Sequence, residues 1–416
     1  MSSQRIVLVN VGPQGDVVPY CVLGQALAAH GYDVAIATEK RLQDLRCVRG
    51  LFDRALQKRF RVARALKCIE MLDEWNVRHL DEQAMLASYV AALDGADIIV
   101  SGAQSMTQSY SVAERNKVTW IPLFLGNCPL PTSAFPHGLP RAFHLDSSVQ
   151  TNGHTLLSHR RHGSTSVKPS MPGASKSWVS RPSKLLWESY NLVNANDSTM
   201  YQAASTLLCG PSKHVPSDYL KGKVVYGGFL HHTDSPPNHT ALQRFLKLAT
   251  LPAISICFGT MAPFASTRQL VQFADQVAKL AKVQCVLFVP EAKSNLSTLA
   301  AKYAERLHIE QSQPPTWLLS RMSCNVHHAS LNSTAMALAR GVPQIPCPMM
   351  MDQFHHANEL LALGVAPAVV YKAALSAKAR LMRCANCRST RSACSRQEER
   401  HSNQSAGHRC VCCHGE

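Results

Sequence analysis

NVHHASLNSTAMALARGVPQIPCPMMMDQ, residues 325–353, is the stretch from which the rest of the chain is read. It opens where a short apolar strand is expected to end and passes through the polar turn HHASLNST. It continues as AMALARG, a run rich in Ala, Leu and Met that closes on Gly341, a favourable helix C-cap. The pattern is a strand, a turn and a helix N-terminus. The first turn of such a helix has backbone N–H groups without intrahelical partners and the positive end of the helix dipole, so Asn332, Ser333 and Thr334 stand where a phosphate is held. After Gly341, VPQIPCP reads as a second buried strand, with the polar pair Asp352 and Gln353 beyond its carboxyl end. Ligands of open α/β sheets bind outside the carboxyl ends of the strands, so both loops are expected to face one crevice. A diphosphate suits the first loop and a hydroxyl-rich group the second; an ordinary Rossmann-like strand, turn and helix is the plainer alternative.

The spacing from His328 through Asn332, Ser333 and Thr334 to Asp352 and Gln353 resembles the donor-binding signature of the nucleotide-sugar glycosyltransferases of family 1. The resemblance implies that His328, Asn332 and Ser333 contact the donor diphosphate, and that Asp352 and Gln353 contact the sugar hydroxyls. The chain departs from the pattern at three positions. The family usually has one or two glycines directly after the His, whereas Ala329 and Ser330 stand here and crowd a backbone meant to approach phosphate. An acidic ribose contact of the plant members is replaced by Met336.

A length of 416 residues supports two domains with substantial cores. Hydrophobic content of 46% and a mean hydropathy of −0.09 describe a globular chain. The formal charge of +16 is concentrated in two segments. Residues 137–185 carry seven Lys and Arg against one acid, and residues 372–416 carry nine against three. Only Phe143 and Trp178 lie among these charges, too few for the interleaved stacking of bases, so nucleic acid is not the expected partner. Weak peripheral attraction to an anionic membrane surface remains compatible with them. The N-terminus leads straight into a strand without a signal-peptide core, and no run reaches the roughly 18 apolar residues of a membrane span, so a cytoplasmic location is expected. There the 15 cysteines are expected to be mostly reduced.

RIVLVNV, residues 5–11, is a β-rich run, and GPQGDVVPYCVLGQALAAHGYDVAIAT continues it as a helix and a second strand, with Gly12 and Gly15 expected in the intervening turn. This βαβ opening lacks the G-x-G-x-x-G dinucleotide fingerprint, and its second strand runs through Thr38 to Glu39. The turn resembles the N-terminal loop of bacterial antibiotic glycosyltransferases and of sterol glucosyltransferases, G-T/S-R-G-D-x-x-P. That resemblance puts Asp16 in the place of a general base for an acceptor hydroxyl; the alternative is that Asp16 caps the helix. Residues 51–90 read as helical and charged. ADIIVS and VTWIPLFL read as strands, with a helix through Tyr110 to Ala113 between them. NCPLPTSAFPHGLP resembles the P-x-x-P-T-x-x-F-P loop that helps shape the acceptor site in these relatives, and reads equally as a Pro-fixed loop. Residues 137–185 read as a mobile loop. Their five histidines, His137, His144, His154, His159 and His162, lack a ligand spacing, so no metal site is expected. A helix is expected over Lys184–Met200, and ASTLLC is expected to carry a strand.

HHTDSPPNHT lies in the expected interdomain linker, 231–245, which separates an acceptor-side domain (1–230) from a nucleotide-sugar domain (246–371). AISICFGTMAP resembles the family's strand and F-G-S-M turn, which implies close backbone approach at Gly259 and a hydroxyl for the diphosphate from Thr260. Gln313 matches a base-contacting Gln of the plant signature. The resemblance ends after Val370. Residues 372–416 read as a disordered, Cys- and Arg-rich tail, or as a zinc cluster around Cys384, Cys387, Cys410, Cys412 and Cys413 whose spacing matches no finger or ribbon.

Together these resemblances imply the α/β GT-B arrangement, two Rossmann-like parallel-sheet domains facing a central cleft, with an incomplete C-terminal domain. The implied reaction is inverting transfer of a hexose, glucose from UDP-glucose, to a hydroxyl of a lipophilic acceptor such as a sterol. UDP-glucose would be a co-substrate, with no cofactor and no metal. A truncated, inactive relative acting as a binding protein and an NAD(P)-dependent oxidoreductase are the alternatives.

Overall fold

RIVLV, AISIC and QCVLF are continuous runs of buried aliphatic residues, the composition of strands covered on both faces. In the computed structural model they are inner strands of two parallel sheets. The structure describes residues 4–12, 14–39, 42, 52–56, 82–126, 199–208, 224–230, 240–259, 266–289, 301–311, 314–349 and 352–371. The chain divides into two compact units at residues 231 and 232.

The first unit contains β1 (Arg5–Val9), α1 (Gln14–Ala29), β2 (Asp33–Glu39), β3 (Phe52–Leu56), α2 (Glu82–Ala92), β4 (Ile98–Ser101), α3 (Met106–Asn116), β5 (Thr119–Phe124), β6 (Met200–Gln202) and β7 (Val224–Tyr226). The strand order is β3-β2-β1-β4-β5-β6-β7, with every neighbouring pair parallel. Ile6 and Leu8 of β1, Ile36 of β2 and Val100 of β4 pack against Val17, Tyr20 and Cys21 of α1. Three expectations need correction here. Phe52–Leu56 is a strand rather than part of a helical stretch, because its backbone pairs with β2. Met200 begins β6 rather than ending a helix, and Thr206–Leu208 of ASTLLC is a 3₁₀ turn, the strand having moved three residues earlier to pair with β5. Gly15 lies inside α1 rather than in the turn before it, and a Cβ there would meet nothing within 4 Å.

The second unit contains α4 (Ala241–Lys247), β8 (Ala253–Cys257), α5 (Thr267–Ala281), β9 (Gln284–Phe288), β10 (Leu307–Glu310), α6 (Thr316–Leu319), β11 (Cys324–His327), α7 (Leu331–Leu338), β12 (Gln344–Pro346) and α8 (Gln353–Ala362). Its order is β10-β9-β8-β11-β12, again all parallel. Side-chain alternation assigns the two faces. Ile254, Ile256, Cys285 and Leu287 pack on Leu270, Val271, Ala274 and Val277 of α5. Ala253, Cys257, Val286 and Phe288 pack on Trp317, Leu318 and Ala337 of α6 and α7. Capping boxes start α4 (Thr240 with Gln243) and α5 (Ser266 with Gln269), satisfying N–H groups that the first turn leaves open.

Both sheets therefore reverse strand order beside their first strand, at β1/β4 and at β8/β11. That switch point is where an open α/β sheet leaves a crevice beyond its strand ends. Several expectations fall on residues outside those described: the proline-rich loop after Gly126, the 137–185 segment, most of the linker, Thr260, Gln313 and the 372–416 tail.

Candidate functional site

In the second unit, β8 and β11 end in register, Cys257 opposite His327, so Phe258–Gly259 and His328–Ala329 leave the sheet side by side. Gly259 adopts φ +50, and a Cβ built on it would lie 2.9 Å from Cε1 of His328. Only glycine leaves room for the imidazole there. His328 is 6% exposed, and its Nδ1 has no hydrogen-bond partner among the described residues. Burial pulls its pKa down to about 4, against the opposing pull of a hydrogen bond to the Cys257 backbone. The ring is therefore neutral near pH 7.

The next residue is in a conformation that favours glycine. Ala329 has φ +60 and is fully buried. Its N–H donates to Nδ1 of His327 (3.1 Å), whose Nε2 lies 2.8 Å from Oε1 of Gln344 in β12. These contacts fix the His327 tautomer, with Nδ1 accepting and Nε2–H donating. Burial first, and then the neighbouring His328, pulls the His327 pKa down to about 3. The carbonyl of Ala329 accepts from Nδ1 of His356 in α8 (3.0 Å). The family's preference for glycine after the histidine thus has a backbone cause, and this chain meets it with a strained alanine.

Ser330 is the N-cap of α7. Its hydroxyl accepts from the Ser333 N–H at 3.4 Å and lies 3.1 Å from Oγ of Ser333. Asn332 and Ser333 are half-buried in the first turn, and Thr334 is fully buried with Oγ1 unpartnered. The helix ends before Gly341, which takes φ +58. Past β12, Asp352 stands at the start of α8 with its side chain 65% exposed, and it caps nothing. Gln353 is the first residue of that helix rather than a loop residue. It is buried, and its Oε1 accepts from the Met349 N–H (2.9 Å), so its amide shapes the loop as well as standing beside Asp352.

In the first unit, Asp16 lies in the first turn of α1 and is not the cap residue. Its Oδ2 rests over Gly12, where a Cβ would come within 2.7 Å and where φ is +138. Asn10 Nδ2 donates to the Asp16 carbonyl (2.6 Å), and the Gly12 N–H donates to Oε1 of buried Glu39 (3.2 Å). A nicotinamide dinucleotide would need an acid at the end of the second strand for its ribose, and Glu39 is instead engaged by the glycine turn. Tyr20, one helical turn after Asp16, donates to the Leu123 carbonyl. Its hydroxyl is held well above the ordinary range by burial and, secondarily, by the Asp16 charge.

No family model matches the chain. In sequence it is similar to the sterol 3-beta-glucosyltransferase of Leptosphaeria maculans, 26% identical over 392 residues, covering 86% of this chain and 25% of that protein. The sterol 3-beta-glucosyltransferase of Candida albicans is 25% identical over 388 residues, covering 87% and 24%. The chain spans about a quarter of the length of these curated relatives. In structure it is similar to CalG4, the calicheamicin glycosyltransferase, with a TM-score of 0.65 at 15% identity over 97% of this chain and 96% of that one. It is similar also to LpCGTa, solved in complex with UDP, with a TM-score of 0.65 at 11% identity over 98% and 97%. The chain has the GT-B fold of these glycosyltransferases and is similar in sequence to sterol 3-beta-glucosyltransferases.

Viewed as a GT-B chain, its second-unit switch point brings together Gly259, His328, Asn332, Ser333 and Thr334, all named from sequence, with Asp352 and Gln353 following at the end of β12. The sequence reading missed His327, Gln344 and His356, the groups that hold the turn. The residue pair His327–His328 was visible, but nothing local ties either histidine to positions 344 and 356. Among the described residues no three His, Cys, Asp or Glu side chains converge as a metal site.

Proposed function

We propose that the chain transfers a hexose from a nucleoside diphosphate sugar, UDP-glucose in the simplest case, to a hydroxyl of a lipophilic acceptor such as a sterol, with inversion at the anomeric carbon. The observation that carries the reading is the β8/β11 switch point. It offers an open helix N-terminus, a glycine passage and a buried histidine with an unpartnered ring nitrogen, one loop away from an exposed carboxylate. A diphosphate between Gly259 and the first turn of α7 would accept N–H donors and sit at the positive end of the helix dipole. Because His328 is neutral in the free protein, it would stabilise the departing diphosphate as a hydrogen-bond donor, not as a resident cation. Asp352 would accept from sugar hydroxyls, and the Gln353 amide would orient that loop. Asp16 would take the acceptor proton as the hydroxyl oxygen bonds to the anomeric carbon, while the bond from that carbon to the diphosphate oxygen breaks and UDP leaves with the electron pair. The acceptor class rests on the named relatives alone.

Titration calorimetry with UDP-glucose tests the donor site. Asp352→Ala is expected to weaken binding by about tenfold, the loss of one or two charge-assisted hydrogen bonds. Asp16→Asn is expected to bind the donor as the parent does while losing turnover by about 10²–10⁴-fold in an assay with a sterol acceptor. No saturable binding by the folded parent would remove UDP-glucose as the donor. A second reading, an inactive relative acting as a binding protein, is favoured by Ser330, whose hydroxyl occupies an N–H that a diphosphate would otherwise use and so weakens the donor site.

A further inference from the structure

We infer that His356 is a positioning residue of the donor site, a strut from α8 that holds Ala329 in the left-handed conformation and so sets both His328 and the start of α7. This rests on the reading of that switch point as a nucleotide-sugar site. A left-handed backbone is disfavoured for any residue with a Cβ and persists only where the surroundings fix it. At Ala329 the surroundings are two histidines, one bonded to its N–H and the other to its carbonyl. His327 receives its N–H, and His356 Nδ1 donates to its carbonyl. His356 is fully buried, and its other ring nitrogen, Nε2, has no partner among the described residues. Burying an imidazole with one nitrogen unsatisfied costs free energy, so a buried ring of this kind calls for an explanation.

The geometry supplies that explanation. Residue 329 follows directly on His328, whose ring lies against Gly259, and precedes directly Ser330, the cap of α7. Rotating Ala329 back to an ordinary φ would swing His328 and the helix N-terminus apart. The same Nδ1 lies 3.9 Å from Oδ2 of Asp352, one helical turn earlier in α8. That separation is too long for a hydrogen bond, so the Nδ1–H serves the Ala329 carbonyl, and His356 is near the carboxylate end of the site without bonding to it. Sequence inspection cannot separate it from its neighbour His355, because only the position of α8 against the β11–α7 turn distinguishes them.

The test uses three substitutions in the full chain: His356→Leu, which keeps volume but removes the donor; His356→Asn, whose amide nitrogen can take the place of Nδ1; and Ala329→Gly, which removes the need for a strut. UDP-glucose titration is expected to show His356→Leu weaker by about tenfold, His356→Asn within about threefold of the parent, and recovery of most of the loss when His356→Leu is combined with Ala329→Gly. A role in packing alone would leave the loss unrecovered by glycine, and that outcome, or parental affinity in folded His356→Leu, overturns the inference. Melting temperatures give a ligand-free reading of the same coupling. If the parent binds no UDP-glucose, the donor assignment fails while the strut is still judged by whether His356→Leu lowers Tm less in the Ala329→Gly background. Equal lowering in both backgrounds, or failure of both proteins to fold, counts against it.

Discussion

Ser330 occupies the position where a phosphate-binding turn has most to gain from having no side chain. Its hydroxyl caps α7 by taking the Ser333 N–H, but the bond is long at 3.4 Å, so the capping gain is small and the competition with an anion direct. Ser330→Gly is expected to tighten UDP-glucose binding by about threefold to tenfold and to lower stability by a few tenths of a kcal/mol, roughly the difference between a serine and a glycine cap. Calorimetry beside urea unfolding checks both; weaker binding in the variant would show that the hydroxyl assists the ligand. The two buried histidines set a second expectation. Their ordinary pKa is 6.5, and in the folded chain they are lowered to about 3 for His327 and about 4 for His328. Between pH 6.5 and about 4 the unfolded chain therefore binds protons that the native state refuses, so stability falls as pH falls, by roughly 1 kcal/mol per pH unit for each ring. Urea midpoints at pH 7, 6 and 5 follow it. His327→Gln is expected to reduce the slope by about half, and an unchanged slope would mean that the ring is not neutral in the fold. Of the residues at this scale, those whose chemistry is local were legible from the chain: His328, the Asn332–Thr334 turn and the exposed carboxylate of Asp352. Ala329 was visible as a departure, but its left-handed φ was not, because that angle is imposed by His327 and His356 from flanking elements.

At the scale of elements, α5 shows how much a single helix can declare. Ser266 and Gln269 mark its start, its apolar stripe packs on β8 and β9, and Asp275 meets Lys279 one turn along the helix (2.6 Å) and Arg306 ahead of β10 (2.9 Å). Burial acts to raise the Asp275 pKa, but the hydrogen bonds and charges of the two cations outweigh it and hold the carboxyl below its usual range. Its stabilising contribution is therefore present above the carboxylate range and lost as pH falls through the lowered pKa. Asp275→Asn is expected to cost about 1–3 kcal/mol at pH 7, the range of charge-assisted hydrogen bonds, and to cost less near pH 3. Leu287→Ala, fully buried on the α5 side of β9, is expected to cost about 2–5 kcal/mol in the same denaturation series. A loss below 1 kcal/mol in either would contradict the packing described. The helix pattern of α5 and the buried strands β1, β8 and β9 could be read from the chain because one period runs through each. β3 could not, since FDRAL carries no β pattern of its own and becomes a strand through pairing with β2.

The whole molecule repeats one topology. The sequence implied two Rossmann-like parallel-sheet units but not their strand order; each sheet contains the order 3-2-1-4-5, extended by two further strands in the first, and so has a switch point. Five cysteines, Cys21, Cys257, Cys285, Cys324 and Cys347, are buried in these cores as thiols rather than disulfides. Burial drives Cys257 up to about 12, partly offset by the Gly259 backbone, and raises Cys285 as well, so neither forms a reactive thiolate at neutral pH. Peptides containing these five are expected to remain unalkylated by iodoacetamide in the native chain and to label fully in urea; native labelling at Cys257 would mean that β8 is not enclosed. Parallel order also governs how the chain folds. The strands flanking each switch point are distant in sequence: Arg5 bonds to Asp97 across 92 residues, and Ser255 to Asn325 across 70. Neighbours so remote must close a long loop before any contact rewards it, which makes such pairings slow to form. Gly259 and His328 come together only when β8 and β11 pair. Recovery of UDP-glucose binding during refolding should therefore lag the recovery of helix signal, and ligand capture would time the last step of the second unit's folding rather than its first collapse.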